Sequence, residues 1–157
     1  MNRFVNSLNW APQDMENPDV WKLEEDLGYV YKKYLIIMKK GVEVDGASIP
    51  RFLWRLLGHP FEGANAWYSL PHDYIYNNTM LIIDLRTTAL LPEALMDCWH
   101  VFEDNFFISN RQHFDREFAD DVLLSAMKVM NENRFKKWMV YRGLRMFGWF
   151  AWGKAHS

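Results

Sequence analysis

Gly28-Tyr29-Val30-Tyr31, Tyr34-Leu35-Ile36-Ile37-Met38 and Gly41-Val42-Glu43-Val44 follow one another with only lysine pairs between them. Runs this short, rich in aromatic and β-branched residues, mark extended chain rather than helix. With Trp21 upstream they predict a small antiparallel meander over 21–45. Beyond it the apolar spacing changes to threes and fours. Leu95, Met96, Trp99, Phe102 and Phe106 behind Pro92-Glu93 predict one helix, and Phe118, Ala119, Val122, Leu123, Ala126, Val129 and Met130 predict another over about 112–130. Ala64 to Tyr76 reads as a helix kinked or begun afresh at Pro71 and ended by Asn77-Asn78, because a proline inside a helix loses a hydrogen bond. A last helix over 134–147 is expected to stop at Gly148. The expected fold is therefore α+β, a small N-terminal antiparallel β-meander packed on a mostly α-helical body.

The chain has 157 residues, half of them hydrophobic, which suits one domain with a true core. Its expected parts are an N-terminal arm (1–20), the meander (21–45), the helical body (46–148) and an aromatic tail (149–157). Eight Trp, seven Tyr and eleven Phe point to a thick core or to a surface made for an apolar partner. A net charge of −2 gives no general case for nucleic-acid binding. Cys98 is the single cysteine, so no internal disulfide can form. No secretory signal opens the chain, and basic residues interrupt its richest apolar stretch, so neither a leader nor a spanning helix is expected.

Two short motifs place ligand-capable groups inside apolar sequence. In His72-Asp73-Tyr74-Ile75-Tyr76 a helix puts imidazole and phenol on one face and turns Asp73 about 100° away. On the helix over 112–130, Asp120 falls on the margin of the apolar arc, whereas Asp121 falls on the polar face. If the two helices pack antiparallel, Asp120 can accept hydrogen bonds from His72 and Tyr76. That leaves an oriented imidazole with one free nitrogen, a general base near its ordinary pKa of about 6.5. Asp73 would then join Asp45 and carbonyls of the Asp45-Gly46-Ala47-Ser48 loop around Ca²⁺, which prefers carboxylate and carbonyl oxygens. The ion would polarise a substrate carbonyl or phosphoryl oxygen.

A structural reading stands beside the catalytic one. Asp73 would favour a helix N-terminus, His72 would be bonded inside the core, and Asp120 would pair with Arg116 four residues earlier. Asp45, Gly46 and Ser48 would shape a turn and cap a short helix through Pro50. The chain lacks zinc-ligand spacing, a Gly-x-Ser-x-Gly elbow, a Walker loop and a dinucleotide fingerprint. Near the end, basic and aromatic residues alternate; Trp138, Arg142, Arg145, Trp149 and Trp152 would serve a membrane surface or a partner protein if exposed. A core helix with snorkelling Lys and Arg explains the same pattern.

Asp45-Gly46-Ala47-Ser48-Ile49-Pro50, His72-Asp73-Tyr74-Ile75-Tyr76, Ala119-Asp120 with Ala126-Met127, and Tyr141 to Gly148 together resemble, in order, the signature of the phage and prophage domain-of-unknown-function 1353 family. The resemblance covers roughly residues 20 to 150. It implies a viral or prophage origin, a place in the host cytoplasm or the virion, and phage or host proteins as partners. The His-Asp-x-x-Tyr spacing with a later Asp also resembles phospholipase A2 enzymes, which implies His72 as base, Asp73 as Ca²⁺ ligand, and Tyr76 with Asp120 as the orienting pair. The expected function is thus a phage-encoded accessory protein with a metal-assisted, phospholipase-like His-Asp centre. The alternatives are a non-catalytic virion, tail or assembly protein and an inhibitor of a host defence.

Overall fold

The computed structural model describes residues 1–12, 20–44, 64–76, 81–101 and 114–155. Its centre is a hairpin of β4 (Leu27–Tyr31) and β5 (Tyr34–Met38), paired antiparallel with Leu27 opposite Met38 and Tyr31 opposite Tyr34. Lys32 turns the chain with a left-handed φ of 53°, and its amide donates to Asn2 Oδ1 at 2.7 Å, which holds the turn. Outside β4 lies β1 (Arg3–Phe4), and outside β5 lies β7 (Leu81–Asp84), giving an antiparallel sheet of order β1-β4-β5-β7. A second sheet joins β2 (Trp10–Pro12), β3 (Trp21–Leu23) and β6 (Glu43–Val44) in that order.

The predicted meander is thus divided. Its first two runs form the hairpin, but Glu43-Val44 leaves to pair with β3. The arm contributes β1 and β2, and the region expected to be mostly helical contributes β7. Leu81-Ile82-Ile83 carries too few residues for a helix, and as an apolar run buried on both sides it finds its backbone partners only at an open sheet edge.

The hairpin strands are buried on both faces, which explains why they read as continuous apolar runs instead of alternating. Their period of two is still visible in what each residue touches. Tyr29, Tyr31, Ile36, Met38 and Ile82 join the large core against the helices, while Val30, Leu35, Ile37, Leu81 and Ile83 join a smaller core with Leu95 and Trp99.

Four helices are described. The first, α1 (Ala64–Tyr76), runs unbroken through Pro71 and is buried nearly all round. Tyr74 Oη accepts the Leu81 amide at 3.2 Å, tying α1 to β7. The short α2 (Pro92–Cys98) gives way to a 3-10 turn over Trp99–Val101, so the helix is shorter than its predicted extent towards Phe106, and residues 102–113 lie outside the described part. Trp99 Nε1 donates to Asp26 Oδ2 at 2.8 Å and pins this end to the sheet. α3 (Arg116–Val129) starts later than about residue 112 because Asp115 caps it, its carboxylate accepting the Phe118 amide at 2.9 Å. α4 (Arg134–Ala155) passes through Gly148, the expected stop. A glycine inside a helix costs only about 1 kcal/mol and ends it only where the chain turns left-handed. No described helix is long and apolar enough to cross a membrane.

Gly28 sets the distance between sheet and α2. A Cβ there would lie 2.6 Å from Met96 Sδ and 3.1 Å from Val5 Cγ2. Gly28→Val is therefore expected to lower unfolding free energy by ~1–3 kcal/mol, read from the urea midpoint. Adding Met96→Ala should recover part of that loss, and additive effects would show that the close approach is not the cause.

Candidate functional site

The polar residues of interest meet where α1 packs on α3. One helical turn separates His72 from Tyr76, so their rings lie together with centroids 4.3 Å apart. Asp120 projects from the apolar face of α3, whose neighbours Ala119, Val122 and Leu123 are buried with it. Asp120 Oδ1 lies 3.3 Å from His72 Nε2 and accepts from Tyr76 Oη at 3.3 Å. On its other side, Asp120 Oδ2 faces Arg116 Nη1 at 3.6 Å, and Arg116 also donates to the Leu144 carbonyl of α4 at 3.1 Å. One carboxylate therefore links three helices.

Asp73 departs from its expected role. It does not turn away from His72, because its Oδ1 lies 3.2 Å from His72 Nδ1. Since α1 begins at Ala64, Asp73 also stands in the last turn of the helix and not near an N-terminus. The helix dipole disfavours a carboxylate there, and the His72 ring beside it gives Asp73 a buried polar partner. His72 is thus held between two carboxylates with both ring nitrogens engaged.

The electrostatics follow from burial. His72 and Asp120 are 0% exposed, and Asp73 and Tyr76 are 1% exposed. Burial pulls the imidazole pKa down, but the hydrogen bonds to Asp120 and Asp73, with the charges of both, outweigh it and raise the pKa above its ordinary value. Each ring nitrogen of His72 thus has a carboxylate oxygen within 3.3 Å, Asp73 Oδ1 at Nδ1 and Asp120 Oδ1 at Nε2. Burial first, and the Asp120 charge second, push the Tyr76 phenol well above its usual range, so it stays a donor. Asp73 Oδ2 and Asp120 Oδ2 are buried and have no hydrogen-bond partner among the described residues. The cluster therefore costs desolvation that its ion pairs only partly return.

The expected Ca²⁺ site is overturned. Among the described residues, no three His, Cys, Asp or Glu side chains are grouped to hold a metal ion. The Asp73 carboxylate is directed at the imidazole and not at an oxygen cage. Asp45, Gly46, Ser48 and Pro50, the other parts of the proposed loop, lie outside the described residues.

The C-terminal candidates separate. Trp138 is 58% exposed with the Arg142 guanidinium 5.9 Å from its ring centre. Arg145 instead donates to Glu117 Oε1 at 2.6 Å and to Tyr141 Oη at 3.3 Å, which fastens α4 to α3. The side chains of Trp149 and Trp152 lie outside the described part.

Sequence reading missed a second buried polar group on α3. Ser125 Oγ lies 2.7 Å from Tyr29 Oη and accepts from Asn2 Nδ2 at 2.7 Å, while burial pushes the Tyr29 phenol up to about 12. A serine on the apolar arc beside Ala126 was the available signal. Nearby, a cavity of about 520 Å³ is lined by Tyr31, Lys32, Asp121, Ser125 and Lys128 among others, and none of the His72 cluster borders it.

His72→Leu leaves two buried carboxylates without the imidazole that bridges them and is expected to cost ~3–5 kcal/mol, measured by denaturant unfolding. Wild-type stability should also depend on pH with a defined sign. A raised imidazole pKa contributes stability that is fully present below the unfolded value of about 6.5 and is lost as pH rises through the folded value. Denaturation midpoints should therefore fall on the alkaline side in the wild type, and this component should be missing in His72→Leu.

Comparison with known proteins places this architecture in a family. The model of the family described as "Protein of unknown function (DUF1353)" matches residues 21–144. The "Uncharacterized protein y4jT" of Sinorhizobium fredii (strain NBRC 101917 / NGR234) is 56% identical over 34 residues, which is 22% of this chain and 10% of that protein. The match thus spans about a tenth of that relative's length. No solved structure matches the chain. The resemblance of His72-Asp73-x-x-Tyr76 to phospholipase A2 has no counterpart in these matches. The family match includes His72, Asp73, Tyr76, Asp120 and Arg116, every member of the buried cluster, and the chain belongs to the DUF1353 family.

Proposed function

We propose that this protein acts by binding and not by turnover, as a non-catalytic accessory or assembly protein in which His72 is a structural clamp between helices. One observation carries the reading: His72 is wholly buried with a carboxylate on each ring nitrogen. A general base needs a free nitrogen within reach of the proton it removes, and here a carboxylate oxygen engages each one. The exposed apolar residues Phe135, Trp138 and Met146 on α4 supply a contact surface. The phage resemblance suggests a virion, tail or assembly setting for the protein.

The competing reading is a His-Asp hydrolase, favoured by Asp120 accepting from both His72 and Tyr76. It requires Asp73 to release Nδ1 and a path for water to open. The two readings differ in what His72→Gln does. On the clamp reading, wild-type protein releases no fatty acid from mixed phospholipid vesicles, and His72→Gln lowers the unfolding midpoint. Wild-type turnover that His72→Gln abolishes while the midpoint stays constant would overturn it.

A further inference from the structure

We propose that the solvent face of α4 is a docking surface for anionic lipid, lying flat on the membrane interface. Phe135, Trp138 and Met146 are 65%, 58% and 64% exposed, and Arg142 is exposed between them. At 100° per residue, positions 135, 138, 142 and 146 fall within one narrow stripe, about 16 Å long at 1.5 Å rise per residue. The stripe is partly organised before any partner arrives. The Phe135 and Trp138 rings stack with centroids 6.2 Å apart, and Arg142 lies over the Trp138 ring.

Charge selects the occupant. From Arg134 to Ala155 the helix carries Arg134, Lys136, Lys137, Arg142, Arg145 and Lys154 and not one Asp or Glu. Arg145 is answered by Glu117 of α3, and Lys136 by Glu132 and Asn65. Among the described residues, Arg134 and Arg142 are exposed and make no ion pair, so their charge faces outward on a chain whose net charge is −2. Cationic groups interleaved with Trp and Phe on one exposed helical face match the layered chemistry of a lipid interface, anionic headgroups above and acyl chain below. An acidic protein segment would satisfy the arginines but would leave the convex aromatic stripe in need of an apolar groove. Nucleic acid would satisfy neither Met146 nor the overall charge. The proposal is independent of the role of His72 and would survive the finding that the protein is an enzyme.

The test uses the full chain and sedimentation with vesicles of phosphatidylcholine alone or with about one-third phosphatidylglycerol. Binding to the anionic vesicles should exceed binding to the neutral ones by at least about tenfold at low salt and weaken as salt is raised. Arg134→Glu with Arg142→Glu, and separately Trp138→Ser, should each reduce it about tenfold or more without moving the unfolding midpoint, since these side chains are exposed. Lys128→Glu, an exposed charge on α3 off the stripe, should leave binding unchanged. Three results would overturn the proposal: no preference for anionic vesicles, equal losses for Lys128→Glu and the stripe variants, or stripe-dependent binding to polyglutamate or duplex DNA in place of vesicles.

Discussion

His72 and Asp120 stand 48 residues apart, yet their contact fixes how the helical layer is assembled. Asp120 receives His72 and Tyr76 from α1 and faces Arg116, which in turn reaches the Leu144 carbonyl on α4. A buried carboxylate surrounded by apolar side chains is costly unless its partners arrive in one geometry. The alternatives in which α1 slides or rotates on α3 are therefore penalised more heavily than hydrophobic packing alone would penalise them. Apolar residues such as Leu123 and Ala126 supply adhesion, and the charged cluster supplies register.

The sheet solves a different problem. Its central hairpin is covered on both faces, by the α1 and α3 layer on one side and by α2 with Trp99 on the other. Tyr74 links α1 to β7, and Tyr29 links β4 to Ser125 on α3, so each layer is joined to the next by a buried hydroxyl as well as by apolar contact. This arrangement accounts for the aromatic richness of the chain. Much of it is core, while a separate share, Phe135 and Trp138, remains in solvent on α4.

The resulting division of labour is spatial. The titratable groups that looked most reactive in the sequence lie in the interior, where both imidazole nitrogens face carboxylates. Exposed polar and apolar groups meet instead on the outer face of α4, where Arg134, Arg142 and an aromatic pair have no acidic neighbours on the same helix.

Local sequence determined the extended character of the hairpin, the helices about Tyr68, Val122 and Val140, and the inward turn of Asp120 against the outward turn of Asp121. Each follows from periodicity, which is a property of neighbouring residues. Membership of the family was also legible before the fold was known. Tertiary structure alone decided that Glu43-Val44 would leave the hairpin for β3, that Leu81–Asp84 would complete the sheet, and that α4 would continue past Gly148. Strand partners are chosen by which edge is open, and a helix end by whether the chain must turn. It alone decided the role of Asp73 as well. The angle between Asp73 and His72 on a helical wheel suggested separate partners, but in the folded chain two carboxylates meet one buried imidazole, a contact that neither spacing nor composition reveals.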